Sequence, residues 1–495
     1  MKKTRKENNQ GNYKKMAKSQ KGITLVALVI TIIIIIILAT VTLNMAFGDN
    51  GLITQAQLAK DMASNSTTAE GEDMNRLMQE YANVMAEDSE INPPVVTPPT
   101  DGTFNEDKGV NTPNIGPNME LVVFDDNTDT WVADETKDGY SYVDISTEGA
   151  NTSEWANAKV TIDGIDSYFV WIPRYAYKIT YYTDENKTTI SNTQTAYGTI
   201  DIKFMNGTGN IAADGTVCKY ASESPNATQE YVVHPAFTTD ADYEGGWNNE
   251  LAGIWIGKYE ASLANKSDGS NIITDNLTNG NILLSEVENL DKTVVTKPGY
   301  SSWRNIIIGN MYTNSKAYSQ ELNSHMLKNS EWGAVVYLAD SKYGRNGTEI
   351  AKNSDLDYIT GGGIDNSYTT NLNQTSTGNV YGIYDLRGGS WEYVSAYYNG
   401  NDANTTYIEY GHPFASVDGV SNEYSTSYSS EGSDSGNKYY KYGDATYETN
   451  EWKAGTSYFV HSLCPYFARG GSCNNPDTLA GMFLFYSDTR FATIR

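Results

Sequence analysis

Cysteine and histidine are nearly absent from this 495-residue chain, which has three Cys (Cys218, Cys464, Cys473) and four His (His234, His325, His412, His461). Three thiols exclude a disulfide-dense scaffold and a four-cysteine zinc site. The histidines lie 49 residues or more apart, so no paired-histidine metal helix exists. Basic residues are also few: 35 Lys and Arg stand against 61 Asp and Glu, a formal net charge of -26. Such a chain cannot neutralise a phosphate backbone over a broad face, which excludes nucleic acid as a partner. Walker loops and dinucleotide fingerprints are missing. No residue is therefore assigned as catalytic or metal-ligating, and no cofactor is expected.

The scarcity of positive charge is uneven. Residues 1–22 hold eight basic residues and one acid, Glu7, a net +7 that leaves -33 on the remaining 473 residues. This basic leader precedes Ile23 to Ala46, 24 residues without a charge. As a helix that run reaches roughly 36 Å, enough to cross a bilayer core of about 30 Å. The positive-inside rule then predicts a single-pass protein of the cell membrane, with its N-terminus in the cytoplasm and the acidic remainder outside. A cleaved secretory peptide is the competing reading, though its apolar region would be shorter.

The sequence Lys21-Gly22-Ile23-Thr24-Leu25-Val26-Ala27 resembles the start of type IV pilins and pseudopilins. The resemblance implies cleavage after Gly22 by a prepilin peptidase, leaving Ile23 as the new N-terminus, and pilin subunits as further partners. The family's glutamate at the fifth mature residue is Ala27 here, which weakens polymerisation more than anchoring.

Helical spacing resumes after Gly51 with Leu52, Ala56, Ala59 and Ala63, then with Met74, Leu77, Met78, Tyr81 and Met85. This predicts a stalk helix over 47–90. Six of the thirteen prolines fall between Pro93 and Pro117, so 91–118 reads as a stiff, extended linker.

From 119 onward, short runs of strand formers alternate with Gly, Asn and Asp. Ser167 to Ile172 and Gly253 to Glu260 read as strands, the latter with Ile254, Ile256 and Lys258 on one face. Trp303 to about Tyr318 and Asn329 to Asp340 read as helices, the second capped by Ser330 and weakened by Gly333. Asn399 to Thr456 is rich in Tyr, Ser, Asn, Gly and Asp and reads as surface loop with short strands. The 37 tyrosines fit an adaptable binding surface, although strand propensity explains them as well.

Several motifs in the head resemble formylglycine-generating-enzyme-like (sulfatase-modifying-factor-like) domains. They are Gly253-Ile-Trp-Ile-Gly-Lys-Tyr-Glu-Ala-Ser262, Ser330-Glu331-Trp332-Gly333-Ala334, Asn379 to Val394 and Arg469-Gly-Gly-Ser-Cys473. Within them Gly382, Asp385, Gly388, Trp391, Glu392, Arg469, Gly470 and Gly471 carry the structural pattern. The resemblance covers roughly 165–495 and implies an α+β, C-type-lectin-like head, with Trp391 a core anchor and Glu392 a buried or half-buried structural group. Arg387 and Arg469 are expected to pair with carboxylates. The family's oxidases use two closely spaced cysteines after the Gly-Gly-Ser strand; only Cys473 follows it here, so formylglycine chemistry is not expected. Calcium is implied by fold resemblance alone. Whether Cys464 and Cys473 form a disulfide stays open.

The closing stretch Arg469 to Tyr486 is similar to the retroelement-diversified branch of the same family, whose C-terminus binds ligand. Gly443 to Thr449 resembles surface proteins of that type from Gram-positive bacteria. That resemblance places ligand contacts at Asn474, Asn475, Asp477, Thr478, Tyr486, Ser487, Asp488 and Arg490. The expectation is a non-enzymatic, membrane-tethered adhesion or recognition protein with an extracellular protein or glycan ligand. A minor pilin with a structural head is the alternative, and an enzyme the least favoured.

Overall fold

In the computed structural model the described residues are 102–134, 137–241, 245–274, 291–363, 367–415, 423–429, 441–453 and 457–488. They begin with a short hairpin (β1, Phe104–Asn105; β2, Val110–Asn111) that precedes β3 (Met119–Asp125), β4 (Thr130–Val132), β5 (Asn157–Ile162) and β6 (Ile165–Pro173). Next come β7 (Tyr175–Tyr182), β8 (Ile190–Ser191), β9 (Gly198–Phe204), β10 (Val232–Val233) and β11 (Gly253–Gly257). β11 returns to pair antiparallel with β6, setting Ile254 opposite Ile172 and Ile256 opposite Val170. The result is a five-stranded antiparallel sheet in the order β11-β6-β5-β3-β4. β7 carries β10, β8 and β9 in a second sheet. These elements follow from β-branched and aromatic residues placed at alternate positions: along β9, Ile200, Ile202 and Phe204 are buried while Asp201 and Lys203 face outward.

A two-stranded ribbon, β12 (Ala261–Asn265) and β13 (Lys292–Thr296), leads to the helices α1 (Ile308–Tyr318) and α2 (Asn329–Asp340). α2 is buried along its whole length, with Trp332, Val335, Val336 and Ala339 fully enclosed. It packs against β9 and against β14 (Glu392–Tyr398). β14 belongs to the last sheet, with β15 (Thr426–Tyr428), β16 (Tyr466–Gly470) and β17 (Gly481–Asp488), in the order β15-β14-β16-β17. The β14–β15 pair is parallel and the others antiparallel.

Two expectations are corrected. The α+β reading with an N-terminal transmembrane helix is not what the chain displays: the described residues are mostly sheet with few helices. Only α1 and α2 exceed a single turn, and among the described residues no helix is long and apolar enough to cross a membrane. The composition accounts for this, since Tyr, Thr, Val and Ile favour strands, and Asn and Gly favour turns. The expected membrane segment 23–46 and stalk 47–90 lie outside the described residues. The second correction concerns 399–456. Within it Tyr442, Asp444, Ala445, Thr446, Glu448, Thr449 and Trp452 are buried, not surface loop. Their polarity is absorbed locally. Asp444 Oδ1 accepts from the Thr446 amide at 2.9 Å and from the Thr446 hydroxyl at 2.6 Å, while Glu448 Oε2 accepts from the Tyr177 hydroxyl at 2.7 Å.

The proline-rich stretch also enters the head before residue 119. Val110, Asn111, Thr112 and Pro113 are buried, and Trp171 Nε1 donates to the Asn111 carbonyl at 3.3 Å.

Candidate binding face at the C-terminal hairpin

The motif residues build the support of the face. Arg469, fully buried on β16, donates to Asn329 Oδ1 at 2.8 Å and to the carbonyls of Asp444 and Ala445 at 2.6 and 3.0 Å. Its partners thus include these carbonyl oxygens, and its charge also acts on the nearby Asp444 carboxylate. Arg387 donates to the carbonyls of Ile350 and Ala480 at 3.0 Å each, and its other end reaches Asp477 at 3.5 Å. Trp332, completely enclosed, donates to the Met482 carbonyl at 2.9 Å and anchors the start of β17. The expected anchor, Trp391, is half-buried: it packs against the core cluster that holds Tyr393, Tyr397 and Tyr466, and its ring lies 5.4 Å from Tyr486.

Behind the face lie three carboxylates. Glu260 accepts from the Ser390 amide at 2.8 Å and from the Ser302 hydroxyl. Asp385, at φ 63°, accepts from the Gly361 amide and from Asn353 Nδ2, both at 2.8 Å. Gly389 explains the Gly-Gly pair: at φ 64° a Cβ there would stand 2.5 Å from Glu260 Oε1. Desolvation pushes all three acids up, Asp385 to about 6; for Glu260 and half-buried Glu392 the Asp385 charge adds to the rise. Gly382, Gly388, Gly470 and Gly471 occupy close approaches in the same region. Among the described residues no group of three or more His, Cys, Asp or Glu side chains is arranged to hold a metal ion.

The three cysteines are buried and none is in a disulfide, so the Cys464–Cys473 bridge that the sequence leaves open is not formed. The Cys473 amide donates to the Gly389 carbonyl at 2.8 Å. Its thiol, pushed up by burial, lies against Tyr358, which in turn accepts from Asn474 Nδ2 at 2.9 Å. The Arg304 guanidinium covers the Tyr358 ring at 3.8 Å. A thiol pushed up and enclosed is a poor nucleophile.

The candidate contacts divide into distinct environments. Asn474 and Thr478 are exposed. Asp477 is 76% exposed between Lys352 at 3.4 Å and Arg387 at 3.5 Å. Asn475 is half-buried and shapes the turn, because its side chain accepts from the Ser472 amide at 2.7 Å. Tyr486 is half-buried between Trp391 and Tyr458, whose ring is 5.2 Å away. Ser487 is a correction: strand alternation turns it inward and it is 8% exposed. Asp488 pairs with Tyr466 in the β16–β17 register. Arg490, Gly22 and Ile23 lie outside the described residues.

Sequence reasoning missed Tyr458. Its amide donates to the Phe485 carbonyl at 3.1 Å, so 457–459 runs beside β17, and Tyr458 is 40% exposed while Phe459 turns to the core. The Tyr-Phe dipeptide, with one ring in and one out, was the available signal. Together Trp391, Tyr458 and Tyr486 form a ledge of three rings, and Tyr486 belongs to the β16–β17 hairpin whose connection holds residues 474–478. No known protein family matches this chain, and no curated protein does either.

Proposed function

We propose that this chain is a non-enzymatic recognition protein of the cell membrane, displayed outside the cell, and that its C-terminal hairpin captures a protein or glycan. The observation that carries the reading is the β16–β17 hairpin itself, which exposes Asn474, Asp477 and Thr478 in its loop and holds Tyr486 in a ring ledge with Trp391 and Tyr458. Tyrosine and tryptophan supply large contact area with few torsions to freeze, and short polar residues supply adaptable hydrogen bonds. The loop is exposed, yet its base is fixed by buried Arg469 and Trp332, so substitutions at the tips leave the scaffold intact. The motif resemblance to the diversified branch of formylglycine-generating-enzyme-like proteins supports the same position for the site.

The test is binding of the full chain to arrays of defined glycans and purified surface proteins, beside a variant carrying Asn474→Ala, Asp477→Ala and Thr478→Ala. Retention of specific ligands by the parent and their loss from the folded variant is the expected result. Equal binding by both chains overturns the site assignment.

A further inference from the structure

A cleft of about 220 Å³ opens along the outer side of β9, and none of its lining residues belongs to the C-terminal face. Edge strand β9 contributes Asp201 and Lys203, the following hairpin contributes Asp214, and the turn after α2 contributes Lys342 and Tyr343. Tyr231 closes the wall. Its hydroxyl donates to Asp201, and the ammonium groups of Lys178 and Lys203 lie 4.8 and 4.9 Å from its ring centre. Lys203 pairs with Asp214, and Lys342 pairs with Asp144 at 3.1 Å. Beneath them Phe204 and Tyr343 pack with ring centres 4.7 Å apart. Ile202 and the small residues Gly109, Ala212 and Ala213 complete the lining.

We propose that this cleft binds a single neutral sugar residue. Four features converge. The lining carries two carboxylates and two ammonium groups, so it is electrically balanced, and an ion of either sign would meet a like charge as well as an opposite one. Each hydroxyl of a sugar both donates and accepts, so carboxylates and ammonium groups can serve neighbouring hydroxyls of one ring. Tyr231 and Tyr343 add phenol edges beside the C–H groups, their rings being already held by Lys178, Lys203 and Phe204. The volume is below the roughly 300 Å³ at which pockets for drug-sized ligands begin, which limits the occupant to one ring. The pairs already formed across the cleft hold these groups in place before a ligand arrives, lowering the ordering cost of binding. This inference stands apart from the proposed C-terminal site.

The experiment is saturation-transfer NMR on the full chain with methyl glycosides of glucose, galactose and N-acetylglucosamine, and with glycylglycine as a zwitterion of similar size. Transfer to ring protons of at least one glycoside is expected, with none to glycylglycine. Ala213→Trp, at an exposed position, should fill the cleft, and Asp214→Asn should remove one acceptor; each is expected to weaken binding by about tenfold or more with an unchanged thermal midpoint. The proposal is overturned if no glycoside receives transfer, if transfer persists undiminished in folded Ala213→Trp and Asp214→Asn, or if glycylglycine binds as well as the sugars.

Discussion

Gly333 in the middle of α2 lies directly against Gly443: a Cβ on Gly333 would stand 1.8 Å from the Gly443 carbonyl oxygen. The glycine that weakens the helix by propensity is the one that lets the buried 441–453 segment reach it. Gly333→Ala should therefore destabilise the chain by about 3 kcal/mol, as overpacking against backbone does, despite alanine's better helix propensity. Denaturant unfolding measures this, and a stabilised variant would contradict the contact.

Arg469 joins β16 to the same segment through Asp444, Ala445 and Asn329. Arg469→Leu leaves those buried acceptors without a donor and Asp444 without its nearby cation. A loss on the order of 4 kcal/mol is expected, which calorimetry or urea titration would read. A change below about 1 kcal/mol would show that the network is dispensable.

The buried acids give stability a definite pH dependence. Glu260, Asp385 and Glu392 all have folded pKa values raised by desolvation, Asp385 to about 6. An acid raised on folding binds more protons when folded, so its contribution is complete below about pH 4 and declines as pH climbs through the folded value. His325 has the same sign: burial opposes its charge, but the Glu331 carboxylate 3.0 Å away outweighs it and raises the imidazole. Its stabilisation is present below about pH 6.5 and is lost above its folded value. Buried His234, Lys258 and Lys453 pull the other way, because burial lowers their pKa values and the unfolded chain binds the extra protons. The separable prediction is therefore a difference: Glu260→Gln should shift the slope of the thermal midpoint against pH toward a rise between about pH 5 and pH 8, and an unchanged slope would contradict the arrangement.

Asp477 illustrates the opposite case. It is 76% exposed, and its pairs with Lys352 and Arg387 are at 3.4 and 3.5 Å. Exposed pairs of this kind contribute little, so Asp477→Ala should leave stability within about 1 kcal/mol. A larger loss would move Asp477 from the binding surface to the scaffold.

The parts legible in the sequence were those with a strong local period. The helix read over Asn329–Asp340 is α2, and alternation set Ile254, Ile256 and Lys258 on one face, which the structure buries. The cap differed, because the Glu331 carboxylate accepts from the Lys328 amide at 2.8 Å where Ser330 had been expected to cap. α1 ends at Tyr318 as expected but begins at Ile308, since Trp303 is drawn into a buried non-helical turn beside Leu263. The 441–453 segment was misread because a polar sequence is ordinarily solvated; only its partners on β7, α2 and β16 make it core. Ser487 was misassigned for a related reason, since which face a strand residue takes depends on register, which one sequence does not fix.

Ligand is expected to touch the β16–β17 hairpin at its 474–478 loop and at the ring ledge. The most direct measurement places a photo-crosslinking amino acid at Thr478 or Tyr458 of the full chain, with exposed Ile190 as the control site, and irradiates it with a ligand identified on the arrays. Crosslinking from 478 and 458 but not from 190 is the expected result. Crosslinking from 190 alone, or equally from all three, would contradict a C-terminal binding face.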